Sequence, residues 1–434
     1  VDYKKDMSQF EAQPGIDVLY KKNETNDIFT LIYVFNTGTE NDPALNLAFN
    51  YLSYLGTDKM TAEEIASEMY DIACSFYMNA GANQSSIQIT GLSENMGKAM
   101  EIVEGLIAGA KPDEAILENC KADMLKSRAD AKLNQSRCFG ALQRYLFYGG
   151  DFIRRTTLTD PALQALTSEQ LLAKIGGLMG KQHEVLYYGP QKEAEVKSAL
   201  AKHHKVAADL QPLEKKFSTL LPTDANKVVL AQYDAKQLYY LQFSNRGEKF
   251  DVAADPEITL YNEYFGGGMN TIVFQEMREA RGLAYTAWAT LATPSNANGD
   301  YSYYAFIATQ NDKMQKAVEA FDDIINNMPE SEKAFGIAKE ALVSRLRTER
   351  TVKDGVLWSY LRARDLGLDA PRDKQIFEKV QSMTLDDVKA AQQKWVKGRK
   401  YVYGILGDIQ NLDLNYLKTL GPIQTVSQEE IFGY

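Results

Sequence analysis

The sequence predicts an α+β protein of two similar domains, each a mostly antiparallel sheet with helices packed on one face. Three observations carry that expectation. At 434 residues the chain exceeds the size at which one hydrophobic core stops growing, so two domains of roughly 200 residues are the natural division. Its two halves echo each other at three places in the same order. The coarse elements of each half also follow one plan, with runs of strand-forming residues followed by longer helical stretches.

The echoes are specific. DPALNLAFNYLSYLGT, opening at Asp42-Pro43, returns as DPEITLYNEYFGGG from Asp255-Pro256, with apolar positions in step. SEMYDIACSFY, around Glu68-Met69, meets QEMREARGLAY, around Glu276-Met277. TSEQLLAKIGGLMGKQHEVLYYG from Thr167 resembles TLDDVKAAQQKWVKGRKYVYGILG from Thr384. Chance similarity between amphipathic helices gives one such match, not three in register.

In the first half, β-branched and aromatic runs at 17–21 and 28–35 are separated by a polar stretch, a hairpin signal. A helix is expected from Ala44, where Leu45, Leu47, Ala48, Leu52 and Leu55 recur at three- and four-residue spacing and Gly56 supplies a stop. Thr61, followed three residues later by Glu64, reads as an N-cap. Strands follow near 76–78 and 86–90, then helices over 94–108 and 112–132. The second half repeats the plan with strands at 227–233 and 237–243, a helix after Pro256, strands from Leu283 and Tyr301, and helices over 313–328, 331–348 and 355–365. These readings divide the chain into a first domain at 1–210, a linker at 211–225 and a second domain at 226–434.

Composition narrows the function. With 45% hydrophobic and 24% charged residues the chain has a globular make-up, and no window approaches the roughly 18 apolar residues of a membrane span. A formal net charge of -10 repels a polyanion, which argues against nucleic acid. Cys74, Cys120 and Cys138 lie far apart and form no C-x-x-C pair, so buried free thiols are expected. Of the three histidines, His203 and His204 are neighbours whose side chains diverge on a regular element, and with His183 they do not make a metal site. No phosphate loop, nucleophile elbow or dinucleotide fingerprint is present. The chain opens Val1-Asp2-Tyr3 without an initiator Met, as an excised or processed piece would.

The most informative stretch is 264–285. Gly266, Gly267 and Gly268 suit a sharp turn or a close backbone approach, and Gly282 suits a helix C-terminus. Arg278 is expected on the last turn of a short helix and Tyr285 near the start of the returning strand. Together an Arg and a Tyr can donate hydrogen bonds to a peptide carbonyl and stabilise an oxyanion. On residue chemistry alone the alternative stays open: Arg278 caps carbonyls or pairs with a local Glu, Tyr285 packs in the core, and the glycines only turn the chain.

GGGMN, leading into FQEMREARGLAY, resembles the C-terminal-domain signature of the pitrilysin/insulinase (inverted zincin) metallopeptidases, and the order of elements resembles that family over essentially the whole chain. The resemblance implies the zinc-free half, or a non-catalytic subunit, of a bacterial member whose two halves close like a clam around the substrate. It implies that Arg278 and Tyr285 reach across to bind the scissile carbonyl, and that Gly266, Gly267 and Gly268 line the substrate. The family's zinc motif, H-x-x-E-H, sits on a helix of the first domain. Counting back from Tyr54-Leu55-Gly56-Thr57 puts Leu47, Asn50 and Tyr51 at those three positions, and the third ligand falls near Arg128. None of these can do the original work. The resemblance therefore implies no cofactor bound by this chain, zinc in a partner half, a peptide or unfolded polypeptide as substrate, and a bacterial periplasm or envelope location. The alternative function is a scaffold or peptide-binding subunit of a larger assembly.

Overall fold

The computed structural model describes Val1–Tyr434 throughout. The first half supplies β1 (Ser8–Gln13), β2 (Ile16–Lys22), β3 (Ile28–Phe35), β4 (Cys74–Ala80), β5 (Ser85–Leu92) and β6 (His183–Gly189). The second supplies β7 (Lys227–Gln232), β8 (Gln237–Ser244), β9 (Thr286–Ala292), β10 (Ser302–Gln310), β11 (Val402–Gly407) and β12 (Ile423–Val426). They form two six-stranded sheets in the orders β1-β2-β6-β3-β5-β4 and β12-β7-β11-β8-β10-β9. The duplication holds in order from β2/β7 to β4/β9. Only the outermost partner differs, since β1 runs antiparallel to β2 whereas β12 runs parallel to β7. Most other pairs are antiparallel, with β2–β6 and β7–β11 parallel.

Strand alternation sends residues to two faces. In β3, Phe29, Leu31, Tyr33 and Phe35 enter a core made with the first half's own helices, among them Leu45–Leu52, Met96–Gly109 and Ser168–Leu178. The second half does the same around Tyr240, Tyr303 and Ile307 of its sheet. Each half's own helices thus take one face, as expected.

The other face is covered by the opposite half. Gln135–Tyr148, a first-half helix capped by Asn134, lays Cys138, Phe139, Leu142 and Leu146 on Val229, Leu241, Phe306, Val402 and Leu406 of the second sheet. In return Gly355–Asp365 lays Val356, Leu357 and Leu361 on Leu19, Ile32, Val34 and Leu186 of the first. Polar contacts fix both helices: Gln135 Nε2 donates to the Gln237 carbonyl at 2.7 Å, and Arg364 grips Glu184 with two bonds of 2.7 and 2.6 Å. The inner strands β3, β6, β8 and β11 are therefore buried along most of their length on both faces.

This exchange generates a prediction. Leu142→Ala should cost about 2–5 kcal/mol in denaturant unfolding, as for other buried leucines. Amide exchange should accelerate mainly in β8 and β11, in the half that does not contain the mutation. Acceleration confined to β1–β6 would contradict the exchange.

Candidate functional site

The helix Asp255–Phe265 ends at Gly266, and the reason for glycine there is steric. A Cβ on Gly266 would lie 1.9 Å from the Ala289 carbonyl oxygen. That closeness lets the Ala289 N–H donate to the Gly266 carbonyl at 3.0 Å, while the Asn262 side chain both donates to and accepts from Leu291 at 2.9 Å. The exposed edge of β9 is thereby capped along part of its length. Gly268 has open space around it, a Cβ on Gly267 would make only an ordinary contact with the Asn262 carbonyl at 3.8 Å, and both stand exposed with Met269. Gln275 Nε2 donates to the Met269 carbonyl at 2.5 Å and ties the loop to the next turn of chain.

That turn, Gln275–Ala280, is π-helical, and the Arg281 N–H reaches back to the Glu276 carbonyl at 3.1 Å. Such insertions recur at functional sites because they re-aim side chains. Met277 is wholly buried and anchors the turn, Gly282 ends it at φ 58°, and the Tyr285 N–H donates to the Ala308 carbonyl at 2.8 Å. Arg281 is consumed by ion pairs to Glu276 and Asp323. Arg278 is not. Its guanidinium lies 5.2 Å from the Phe274 ring centroid and 5.5 Å from that of Tyr285, and its nearest carboxylate, on Glu279, is 3.9 Å away.

The structure thus brings Arg278 and Tyr285 side by side. Tyr285 is 66% exposed, so it does not pack in the core, and none of the chain's hydrogen bonds uses its hydroxyl or the Arg278 guanidinium. Aromatic faces hold the guanidinium without spending its donors. The pair can bind an oxyanion or carbonyl, but no base or nucleophile lies between them.

The positions at which the resemblance would put a zinc motif, Leu47, Asn50 and Tyr51, do not fit a metal. Leu47 is core, and the Asn50 side chain is an exposed, neutral carboxamide. Tyr51 is fully buried; its hydroxyl accepts from the Asp113 N–H at 2.9 Å and pairs with Ser168 Oγ at 2.8 Å, pinning two helix N-termini. Tyr264, at the same place in the second half, accepts from the N–H of Ser331, the N-cap of Glu332–Thr348. Arg128 pairs with Asp160 at 2.7 Å. Nowhere do three or more His, Cys, Asp or Glu side chains converge as a metal would need.

One cluster escaped sequence reasoning. His183 Nε2 and His204 Nε2 are 2.8 Å apart, His204 Nδ1 is 3.1 Å from Glu104, and the buried Tyr33 hydroxyl donates to the same carboxylate at 2.7 Å. His204 and His203 do diverge, the latter toward Glu101. What spacing could not reveal was that His183, on a strand, meets His204 at a helix end. Burial, reinforced by His204, pushes the His183 imidazole down to about 4.

Against known proteins, residues 181–342 match the family model described as the Peptidase M16 inactive domain. An uncharacterized zinc protease of Rickettsia bellii is 23% identical over 309 residues, 69% of this chain and 70% of its own. The chain is pitrilysin/insulinase-like. A crystal structure of a peptidase M16 inactive domain from Pseudomonas fluorescens shares the fold, with TM-score 0.71 and 18% identity over 93% of this chain and 98% of that one. The periplasmic protease PqqL of Escherichia coli and the ferredoxin protease FusC, the latter solved with Arabidopsis ferredoxin, each give TM-score 0.71. Identities are 14% and 13%, and the alignments cover 46% and 45% of their chains. This pitrilysin/insulinase-like chain therefore spans just under half the length of those two proteases. It carries an M16 inactive domain.

The close approach at Gly266 and the buried histidine each have a measurable consequence. Gly266→Ala should lower Tm sharply or abolish soluble protein, because backbone must shift to admit the methyl, whereas Gly268→Ala, with nothing within 4 Å, should change Tm little. Equal tolerance at both would refute the close approach. For pH, an unfolded histidine titrates near 6.5, so as pH falls the unfolded chain takes up a proton that folded His183 resists down to about 4. Stability should be lost between about pH 6.5 and 4, by up to about 3 kcal/mol. Chemical denaturation across that range should show the loss in the wild type and a smaller one in His183→Gln.

Proposed function

We propose that this chain is the zinc-free half of an M16 metallopeptidase, and that it completes the active site of a zinc-bearing half. Arg278 and Tyr285 bind the carbonyl oxygen of the scissile peptide and stabilise the tetrahedral intermediate, while Gly267 and Gly268 leave room for substrate beside them. The metal and the general base belong to the other half, since Leu47, Asn50 and Tyr51 here can supply neither.

The observation that carries the reading is a pair of side chains whose hydrogen-bond donors are unspent. An arginine held over Tyr285 by ring faces, with no hydrogen bond of its own, beside a tyrosine whose hydroxyl is also free, offers donors to an oxygen that bears developing charge. A surface arginine with only a structural duty is more often spent, as Arg281 is on two carboxylates. The matched relatives support the class, being named zinc proteases. PqqL and FusC, of whose chains this one covers 46% and 45%, support a second half of comparable size, on the same chain or on another.

The test is turnover by this chain reconstituted with a half bearing H-x-x-E-H. Arg278→Ala and Tyr285→Phe should each lower kcat about 10²–10³-fold, the loss typical of removing one oxyanion donor, with little change in Tm. Unchanged cleavage by both variants would leave the chain as a scaffold or peptide-binding subunit.

A further inference from the structure

A cavity of about 420 Å³ opens beside the helix Leu45–Leu52, where residues 39–46 face the turn at 80–82 and side chains from three first-half helices, Glu114–Lys132, Gln135–Tyr148 and Gly150–Thr156. Two guanidiniums, Arg128 and Arg144, and one carboxylate, Glu40, line it. Arg128 is matched by Asp160. Arg144 is different. It sits on Gln135–Tyr148, the helix lent to the second sheet, and is half-buried. Its guanidinium donates to Thr156 Oγ1 at 2.8 Å and lies 5.0 Å from the Phe152 ring centroid. No carboxylate lies within ion-pair distance of it. Glu40 faces it from farther off and accepts a hydrogen bond from Ser218. An arginine does not escape an unpaired site by losing its proton, so a partly desolvated guanidinium with spare donors is an anion acceptor.

A second observation says what would bring the anion. The turn at 80–82 is the end of β4, the outer strand of the first sheet. Bonded and non-bonded pairs alternate along an antiparallel ladder. The bonds Gly81 N–H to Gln84 and Leu92 N–H to Ala73 bracket the β4–β5 hairpin. Phe76 and Met78 therefore turn their N–H and C=O groups away from β5. In the twin sheet Gly266 and Asn262 cap the corresponding edge at β9, whereas no other element bonds to the Phe76 or Met78 backbone, and the chain's own Thr39 and Glu40 N–H groups close only the end of the β4 edge, on the Gly81 and Ala82 carbonyls. An open edge accepts an extended backbone, and this one runs to the cavity.

We propose that the cavity is a carboxylate-binding site for an extended polypeptide seated along β4, with Arg144 as the bidentate donor and Arg128 as a supporting charge. The carboxylate is either a chain terminus or an Asp or Glu side chain. The polypeptide as ligand rests on the proposed function; the carboxylate preference does not depend on Arg278, Tyr285 or the zinc half.

Fluorescence polarisation on the full chain tests it with three labelled peptides of one Thr/Val-rich sequence. One carries a free C-terminus and no acidic side chain, one a C-terminal amide and a single Glu, and one an amide with Gln in place of that Glu. At least one carboxylate probe should bind about tenfold or more tighter than the Gln amide, and which one does identifies the source. The advantage should shrink in high salt, vanish in Arg144→Gln and survive in part in Arg144→Lys. Three probes that bind alike, or Arg144→Gln retaining the preference, would overturn the site. The wild-type comparison decides this even if Arg144→Gln fails to fold. Carboxylate-independent binding removes this site alone and leaves peptide binding standing. Absence of all binding at about 1 mM, roughly the weakest affinity worth claiming, also removes the site, and turnover by the reconstituted pair then decides the reading separately.

Discussion

Everything in this molecule hangs on the exchange of helices between its halves. A sheet that buries only one face can rest on its own helices, but the inner strands here are apolar on both faces and need a second cover. Gln135–Tyr148 provides it for the second sheet and Gly355–Asp365 for the first. Neither half can leave the other without exposing a row of aromatic and branched side chains to water, at a cost of tens of calories per mole for each square ångström of apolar surface. The two sheets are thereby fixed to one another, and with them the π-helical turn bearing Arg278 and the cavity bearing Arg144.

Within that frame one helix has been put to two structural uses. The helices Leu45–Leu52 and Asp255–Phe265 occupy equivalent places, and each offers a buried tyrosine, Tyr51 or Tyr264, whose hydroxyl satisfies the first backbone N–H of a following helix. A buried donor left unpaired costs about 1–3 kcal/mol, so the tyrosines hold the bundle together. The second copy then departs from the first. Gly266 lets the helix end press against β9, and the chain leaves through an open glycine turn into the π-helical segment. The second half thus presents an exposed pair of hydrogen-bond donors on a core of its own.

Much of the fold was legible because it is written in local periodicity and in repetition. The helix after Ala44, the Thr61 cap, the long helices over 112–132 and 331–348, and the match between the two halves all reappear within a few residues. Arg278 and Tyr285 could be placed near one another because both belong to one short turn and return. Helix 135–148 carried a readable signal in Cys138, Phe139, Leu142 and Leu146, but nothing in its pattern tells which sheet it serves. The pairing of His183 with His204 and Glu104 joins residues far apart in sequence, and Arg144 stands out only because no carboxylate comes near it. Those are facts of three-dimensional arrangement, and single-sequence spacing does not contain them. The π-helical turn was invisible for another reason, since one inserted residue leaves no compositional mark.

The proposed division of labour has this half bind the reacting carbonyl while its partner hydrolyses it. The most direct measurement is peptide hydrolysis by the zinc-bearing half, with and without this chain, before and after a chelator is added. Neither half alone should cleave at an appreciable rate, the pair should, and chelation should abolish the activity. Full activity of the zinc-bearing half in the absence of this chain would contradict that division.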